Sequence, residues 1–162
     1  MSSTHTELNR IVLPNAVLLG EVKRFVREGS RVTLRTKGNS MLPFIRGDKD
    51  SVELILPPNP YRKGDIVLAE IRPGQYVLHR IWSIRGDKVT LMGDGNGRGK
   101  EYCRLENLAG YVDRIVRPDD SSYDPNTRRM RFLAVCWRCL LPIRPYILAA
   151  RHRLLRLFGK CR

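Results

Sequence analysis

The sequence has little cysteine and no pattern of cysteines that defines a site. Of its four cysteines, three lie after residue 135, which is not the spread of a secreted disulfide framework. Cys136 and Cys139 have the spacing of a redox or zinc motif, but no βαβ pattern precedes them and no second pair completes a zinc site. We favour two small apolar side chains on a helix, and expect no metal and no cofactor.

Long apolar runs are also missing. The apolar stretch from Ile11 to Gly20 contains Pro14 and Asn15 and has no basic region before it, unlike a secretory signal. It is much shorter than the roughly 20 apolar residues that a membrane-spanning helix needs. We therefore expect the protein to be cytoplasmic, that is, to stay on the cytoplasmic side of the membrane.

Acidic residues are absent from the last part of the chain. The net charge is +14, and the segment from Pro125 to Arg162 has ten Lys or Arg and no Asp or Glu. The rest of the chain is therefore only weakly basic. The basic segment lacks the interleaved aromatic residues of a single-strand binding platform and any base-reading motif. Nucleic-acid binding is thus the least favoured function, and we expect no specific nucleic-acid partner.

Hydrophobic periodicity divides the chain into four segments. Apolar residues at helical spacing predict an amphipathic helix from Asn15 to Gly29, where glycine can adopt the left-handed conformation that ends a helix. The period then changes to two, as in half-buried strands separated by Gly and Pro turns. The segments are residues 1–29, a helical segment; 30–118, a β domain; 119–127, a polar linker; and 128–162, a basic helical tail.

The β domain has six strand candidates and no intervening helix long enough for a parallel crossover. We therefore predict a mainly β fold, a coiled antiparallel sheet or barrel. The candidates are Arg31 to Arg35, Ser51 to Leu56, Asp65 to Ile71, Gln75 to Ile84, Lys88 to Met92 and Gly110 to Val116.

The tail is predicted to be helical in two pieces, because Pro142 and Pro145 interrupt it. In the second piece Ile147, Leu154 and Phe158 share an apolar face, and arginines lie on another. A basic amphipathic helix suits the surface of an anionic membrane, so we expect peripheral attachment to the inner face of the membrane. The alternative is that the same apolar face packs on the β domain or on another chain.

The first of three informative segments is Gly-Asn-Ser-Met-Leu-Pro at residues 38–43, followed by Gly-Asp at 47–48. Ser40 follows a predicted strand and lies near Gly38, which would let a backbone amide approach a substrate carbonyl. This arrangement is compatible with a serine nucleophile and an oxyanion site. By itself, however, serine beside glycine is more typical of an ordinary turn.

The second segment is the strand that carries His79. This residue shares a strand face with Val77 and Ile81, so we expect its ring to point inward. A single histidine on an apolar face is more often a hydrogen-bonded core residue than a base. It is nevertheless the only histidine within residues 30–118, so an imidazole partner for Ser40 would have to be His79.

The third segment is Met-Gly-Asp-Gly-Asn at residues 92–96, which alone is typical of a hairpin turn. Taken together and in this order, the three segments resemble signal peptidase I and its LexA-like relatives. The resemblance covers about residues 31–117. It implies a mostly β fold of coiled antiparallel strands around a peptide-binding cleft.

The resemblance also implies roles for particular residues. Bacterial signal peptidases and LexA-type proteases have a lysine base where this chain has His79, whereas the endoplasmic-reticulum and archaeal type has a histidine. This chain is similar to the latter, with Ser40 as nucleophile, His79 as base and Asp94 as the carboxylate that orients it. The backbone amide of Ser40 is the implied oxyanion donor. The residues implied to form the oxyanion and substrate-binding site are Gly38, Asn39, Ser40 and Met41.

The chain departs from the family pattern at two positions of the site. The family often has a hydroxyl residue two places before the nucleophile, where this chain has Gly38. The histidine type has a second aspartate a few residues after the first, where this chain has Lys100, with Glu101 one place further on.

The sequence therefore favours a serine endopeptidase that cleaves an extended peptide or protein substrate with a Ser-His-Asp triad. The alternative is a non-catalytic peptide-binding or regulatory module on the same fold.

Overall fold

An eight-stranded antiparallel sheet is the central element of the computed structural model, which describes residues 15–97, 99–143 and 146. The strands are β1 (Val32–Arg35), β2 (Ser51–Ile55), β3 (Ile66–Arg72), β4 (Gln75–Arg85), β5 (Lys88–Met92), β6 (Glu101–Arg104), β7 (Leu108–Val116) and β8 (Ser122–Tyr123). Their order is β1-β2-β7-β3-β4-β5-β6, with β8 beside β7. The mainly β antiparallel class is confirmed. Within the described residues β1 and β6 remain edges, so the sheet is not closed into a barrel.

The helix α1 (Asn15–Arg27) covers one side of the sheet, because its buried residues Val22 and Val26 pack in the apolar core. It ends as the sequence predicts. Gly29 has a φ of +87°, and the N–H of Ser30 donates to the carbonyl of Phe25 at 2.9 Å, which closes a Schellman motif. Phe25 itself is 42% exposed, so the buried face of α1 is narrower than its apolar pattern indicates.

Residues 119–127 are more structured than the polar linker that their composition predicts. They contain β8, and the side chain of Asn126 donates to the carbonyl of Val112 at 2.9 Å. Pro125 is buried. This segment therefore returns along β7 and directs the following helix toward the sheet.

The first piece of the tail is the helix α2 (Arg128–Cys139), which packs on the β domain. Thr127 caps its start by accepting from the Met130 N–H, Ala134 is buried, and Arg131 pairs with Asp65 at 2.6 Å. The second piece, with Ile147, Leu154 and Phe158, lies outside the described residues. Among the helices of the described ranges, none is long and apolar enough to cross a membrane.

Candidate active site

The loop between β1 and β2 carries Ser40 and is fixed by close packing of its own backbone. Gly38 has a φ of +74°, and a Cβ added at Gly47 would lie only 1.6 Å from the Gly38 carbonyl oxygen. The N–H of Asp48 donates to the carbonyl of Thr36 at 2.9 Å. The Gly-Asp pair is thus needed because its backbone lies directly against the residues that precede the serine.

A buried carboxylate holds the other end of this loop. Asp50 is fully buried, and it accepts hydrogen bonds from the backbone N–H and the guanidinium of Arg46 and from Arg117. Burial alone raises the pKa of Asp50, but the hydrogen bonds from Arg46 and the charge of Arg117 lower it more, so its pKa lies below the ordinary value. Tyr123 donates to the carbonyl of Phe44 at 2.7 Å, which ties β8 to the same loop.

His79 lies on β4 and is 4% exposed, so the predicted inward orientation is confirmed. Its Nδ1 lies 2.9 Å from Oε2 of Glu101, the first residue of β6. When the carboxylate is ionised and the ring is neutral, Nδ1 carries the hydrogen and donates a hydrogen bond to Glu101. The other ring nitrogen, Nε2, is then unprotonated and can accept a proton.

The structure corrects the expected third member of the site, because Glu101 and not Asp94 contacts His79. Both carboxylate oxygens of Asp94 accept from Arg80, at 3.0 Å from Nε and 2.8 Å from Nη2. Neighbouring residues of a strand point to opposite faces, so one carboxylate cannot serve both His79 and Arg80. Arg80 also donates to the carbonyl of Gly64 at 2.7 Å. Asp94 therefore holds β4 to the turn that follows β5.

That turn, residues 93–96, lies between the serine and the histidine. The N–H of Gly95 donates to the carbonyl of Ser40 at 2.7 Å. A Cβ added at Gly93 would lie 2.4 Å from the same carbonyl oxygen and 3.0 Å from Nε2 of His79. The glycine at position 93 is thus required because the Ser40 carbonyl oxygen and Nε2 of His79 both approach it.

Ser40 and His79 line the same cleft but are not hydrogen-bonded to each other. No hydrogen bond between described residues joins the Ser40 hydroxyl to the ring. A serine and its base are often further apart without substrate than during reaction, so this separation is compatible with catalysis.

The cleft has a volume of about 470 Å³ and is mostly apolar. The helix α1 contributes Leu18 and Leu19 to one wall. The rest of the lining comes from β1 with the loop after it, from β4 and from the core. These residues are Leu34, Arg35, Thr36, Lys37, Gly38, Ser40, Met41, Ile45, Leu68, Tyr76, Val77, Leu78 and His79.

Three of the four residues expected to bind substrate or oxyanion therefore border the cleft, namely Gly38, Ser40 and Met41. Asn39 is not among the described lining residues, and its carbonyl oxygen instead lies 2.7 Å from a Cβ added at Gly95. Glu101 is the site residue that the sequence did not assign. The available signal was that Glu101 lies one position after Lys100, where the family that the sequence resembles has its second aspartate.

Comparison of the chain with models of known protein families and with curated proteins finds no match.

Proposed function

We propose that the protein is a serine endopeptidase with Ser40 as nucleophile, His79 as general base and Glu101 as the carboxylate that orients the base. The observation that carries this proposal is the pairing of Glu101 with Nδ1 of His79, at 2.9 Å, beside an apolar cleft that also contains Ser40. A buried histidine whose Nδ1 is paired with a carboxylate supports the role of general base for a nearby serine.

In the proposed reaction, substrate binding brings the Ser40 hydroxyl to Nε2 of His79. The imidazole takes the hydroxyl proton as Oγ attacks the scissile carbonyl, and Glu101 stabilises the imidazolium. His79 then returns the proton to the leaving amine. Cleavage of the C–N bond releases the amine and leaves Ser40 acylated. A water molecule that gives a proton to the same ring then hydrolyses this acyl-enzyme, and His79 returns the proton to the Ser40 oxygen.

The oxyanion that forms during attack needs a donor next to the nucleophile. None of the described residues accepts a hydrogen bond from the backbone N–H of Ser40. This N–H therefore supports the role of oxyanion donor, which an unpaired backbone amide at the nucleophile can fill.

The cleft supports an extended peptide as substrate. β1 is an edge strand, so backbone groups on its open side can pair with a peptide that lies along it. Leu18, Leu34 and Leu78 border the cleft beside this edge. We infer that the substrate places apolar side chains here, since burying an aliphatic side chain gains about 1.5–3 kcal/mol.

A peptide library and variants at the site test the proposal. The wild-type protein is expected to cleave peptides with aliphatic residues next to the scissile bond, and Ser40→Ala and His79→Ala are expected to lose cleavage while remaining folded. Ser30→Ala, an exposed serine after α1, is the matched control and should retain the wild-type rate. Full activity of either site variant would contradict the proposal.

The alternative is a non-catalytic module that binds peptides in the same cleft. It is favoured by the lack of a hydrogen bond between Ser40 and His79. Peptide binding by the wild-type protein without turnover, and without covalent labelling of Ser40 by a fluorophosphonate, would support this module.

We further propose that the protein acts on the cytoplasmic side, attached to the surface of an anionic membrane through its tail. On the outward side of α2, Phe132 is 67% exposed and Val135 is 57% exposed. Arg128 and Arg129 lie exposed at the start of the same helix. A basic helix with exposed apolar residues is suited to insertion at the headgroup level, and each arginine near the surface adds about 1 kcal/mol.

Vesicle co-sedimentation of the full chain tests this attachment. Binding to vesicles with phosphatidylglycerol, but not to neutral phosphatidylcholine vesicles, is expected and should weaken with salt. The double variant Phe132→Glu and Val135→Glu should lose most of the binding. Tyr102→Glu, which changes a 67% exposed aromatic residue on β6, is the control and should bind normally. Equal sedimentation with both lipid compositions would contradict the membrane role.

A further inference from the structure

The turn at residues 93–96 is contacted on one side by the candidate active site and on the other by α2. On the site's side, Gly95 donates to the Ser40 carbonyl at 2.7 Å, and Gly93 lies against both that carbonyl and His79. On the other side, the indole N–H of Trp137 donates to the carbonyl of Asp94 at 2.7 Å. A single hydrogen-bonded turn thus connects α2 to the backbone of Ser40 and to the ring of His79.

The position of Trp137 is itself fixed, because α2 is held to the sheet on both sides of this residue. Before it, Arg131 pairs with Asp65 at 2.6 Å and donates to the carbonyl of Asn126. After it, the guanidinium of Arg138 lies over the Trp82 ring, 3.3 Å from the ring centroid. These contacts hold α2 in the position from which the Trp137 indole N–H donates to the turn.

The Trp82 ring that Arg138 covers is also contacted by Lys100, the residue before Glu101. The ammonium group of Lys100 lies 4.8 Å from the centroid of the Trp82 ring, which Arg138 also covers. Cation–π contacts of this kind are stabilising. The Trp82 ring therefore links α2 indirectly to the segment that joins the turn to Glu101.

We propose that Trp137 is a positioning residue of the active site, and that its hydrogen bond to Asp94 sets the separation of Ser40 and His79. This inference rests on the proposed peptidase function. Trp137 does not line the cleft, so it acts on the reacting groups through the backbone of the turn. A misplacement of the reacting groups by a fraction of an ångström reduces the rate of reaction and leaves substrate binding nearly unchanged.

Trp137→Phe tests the proposal because it removes the N–H and keeps an aromatic ring. We expect kcat to fall about five- to tenfold with KM unchanged, the loss that corresponds to one ordinary hydrogen bond. We also expect the NMR signals of the Gly95 amide and of the His79 ring nitrogens to shift. Leu133→Ala, at a 43% exposed position of the same helix, is the matched control and should change neither kcat nor these signals.

The NMR readout separates failure of this inference from failure of the proposed function. Wild-type signals and wild-type kcat in Trp137→Phe would overturn the positioning role. A wild-type protein that cleaves no peptide would contradict the peptidase function, while shifted Gly95 and His79 signals in Trp137→Phe would still support the structural connection. If Trp137→Phe is unstable, benzothienylalanine at position 137 keeps the ring size without the N–H and gives the same test.

Discussion

Replacement of Glu101 by glutamine tests which carboxylate serves His79. In Glu101→Gln the side chain keeps its size and loses its charge, so the imidazolium that forms during catalysis loses its stabilising partner. If the amide group donates to Nδ1, the ring also carries its proton on Nε2, where it cannot accept the Ser40 proton. We therefore expect lower activity with an intact fold.

The magnitude follows from the geometry of the contact. A hydrogen bond to a charged group contributes about 1.5–3 kcal/mol. The Glu101 side chain is 26% exposed, so water weakens the interaction and a value near 2 kcal/mol is appropriate. At 1.36 kcal/mol for each tenfold change in rate, kcat should fall about 30-fold. KM should change little, because Glu101 is not among the described residues that line the cleft.

The assay is steady-state hydrolysis of the best library peptide, with thermal unfolding measured in parallel. Glu106→Gln is the matched control, since this residue is 71% exposed and its only described ion pair is a 4.0 Å contact with Arg104. It should leave kcat unchanged.

Asp94→Asn distinguishes the two carboxylates. It should mainly lower the free energy of unfolding, by about 3 kcal/mol, because a nearly buried Arg80 loses its carboxylate. A wild-type kcat in Glu101→Gln, together with loss of kcat at unchanged stability in Asp94→Asn, would refute the reasoning.

Three further predictions concern the buried Asp50, the packing of two glycines and the reactivity of Cys103. Because the pKa of Asp50 is lower in the folded protein, its contribution to stability is present above the ordinary aspartate pKa near 3.8 and is lost as the pH falls through the lower folded value. Asp50→Asn should therefore lower stability at pH 7 by about 3 kcal/mol and flatten its dependence on acid pH, as measured by urea unfolding; equal slopes would contradict this. Gly47→Ala should lower the free energy of unfolding by about 1–3 kcal/mol and remove most of the activity, since its Cβ would meet Gly38. Gly20→Ala in α1, where the nearest atom lies 3.9 Å from an added Cβ, should raise the free energy of unfolding by about 0.5–1 kcal/mol. Calorimetry that finds Gly47→Ala more stable than Gly20→Ala would be inconsistent with the structure. Burial raises the pKa of Cys103 to about 11, so alkylation of this thiol by iodoacetamide at pH 8 should be far slower than that of the exposed Cys136, as followed by mass spectrometry.

The sequence alone located six of the eight strands and the two residues at the centre of the proposed site. Alternation of apolar and polar residues is a local property, and it located β1 to β5 and β7 to within a few residues. β6 and β8 were missed because they are short and mostly polar, and because pairing with a neighbour rather than their own apolar pattern makes them strands. Ser40 and His79 were assigned through the resemblance of three short segments to a known family, and such segments are also local features of the sequence.

Only the tertiary structure decided which carboxylate contacts the histidine. Asp94 lies within a recognisable motif, but the alternation of side chains along β4 places Arg80 and not His79 beside it. Glu101 reaches His79 because β5 pairs with both β4 and β6 in a particular register, which brings together residues that are 22 positions apart. The docking of α2 on the turn is likewise a long-range contact, formed when Trp137 finds the Asp94 carbonyl 43 positions away. Local patterns determine which elements form, whereas the pairing of distant strands and helices determines which side chains meet.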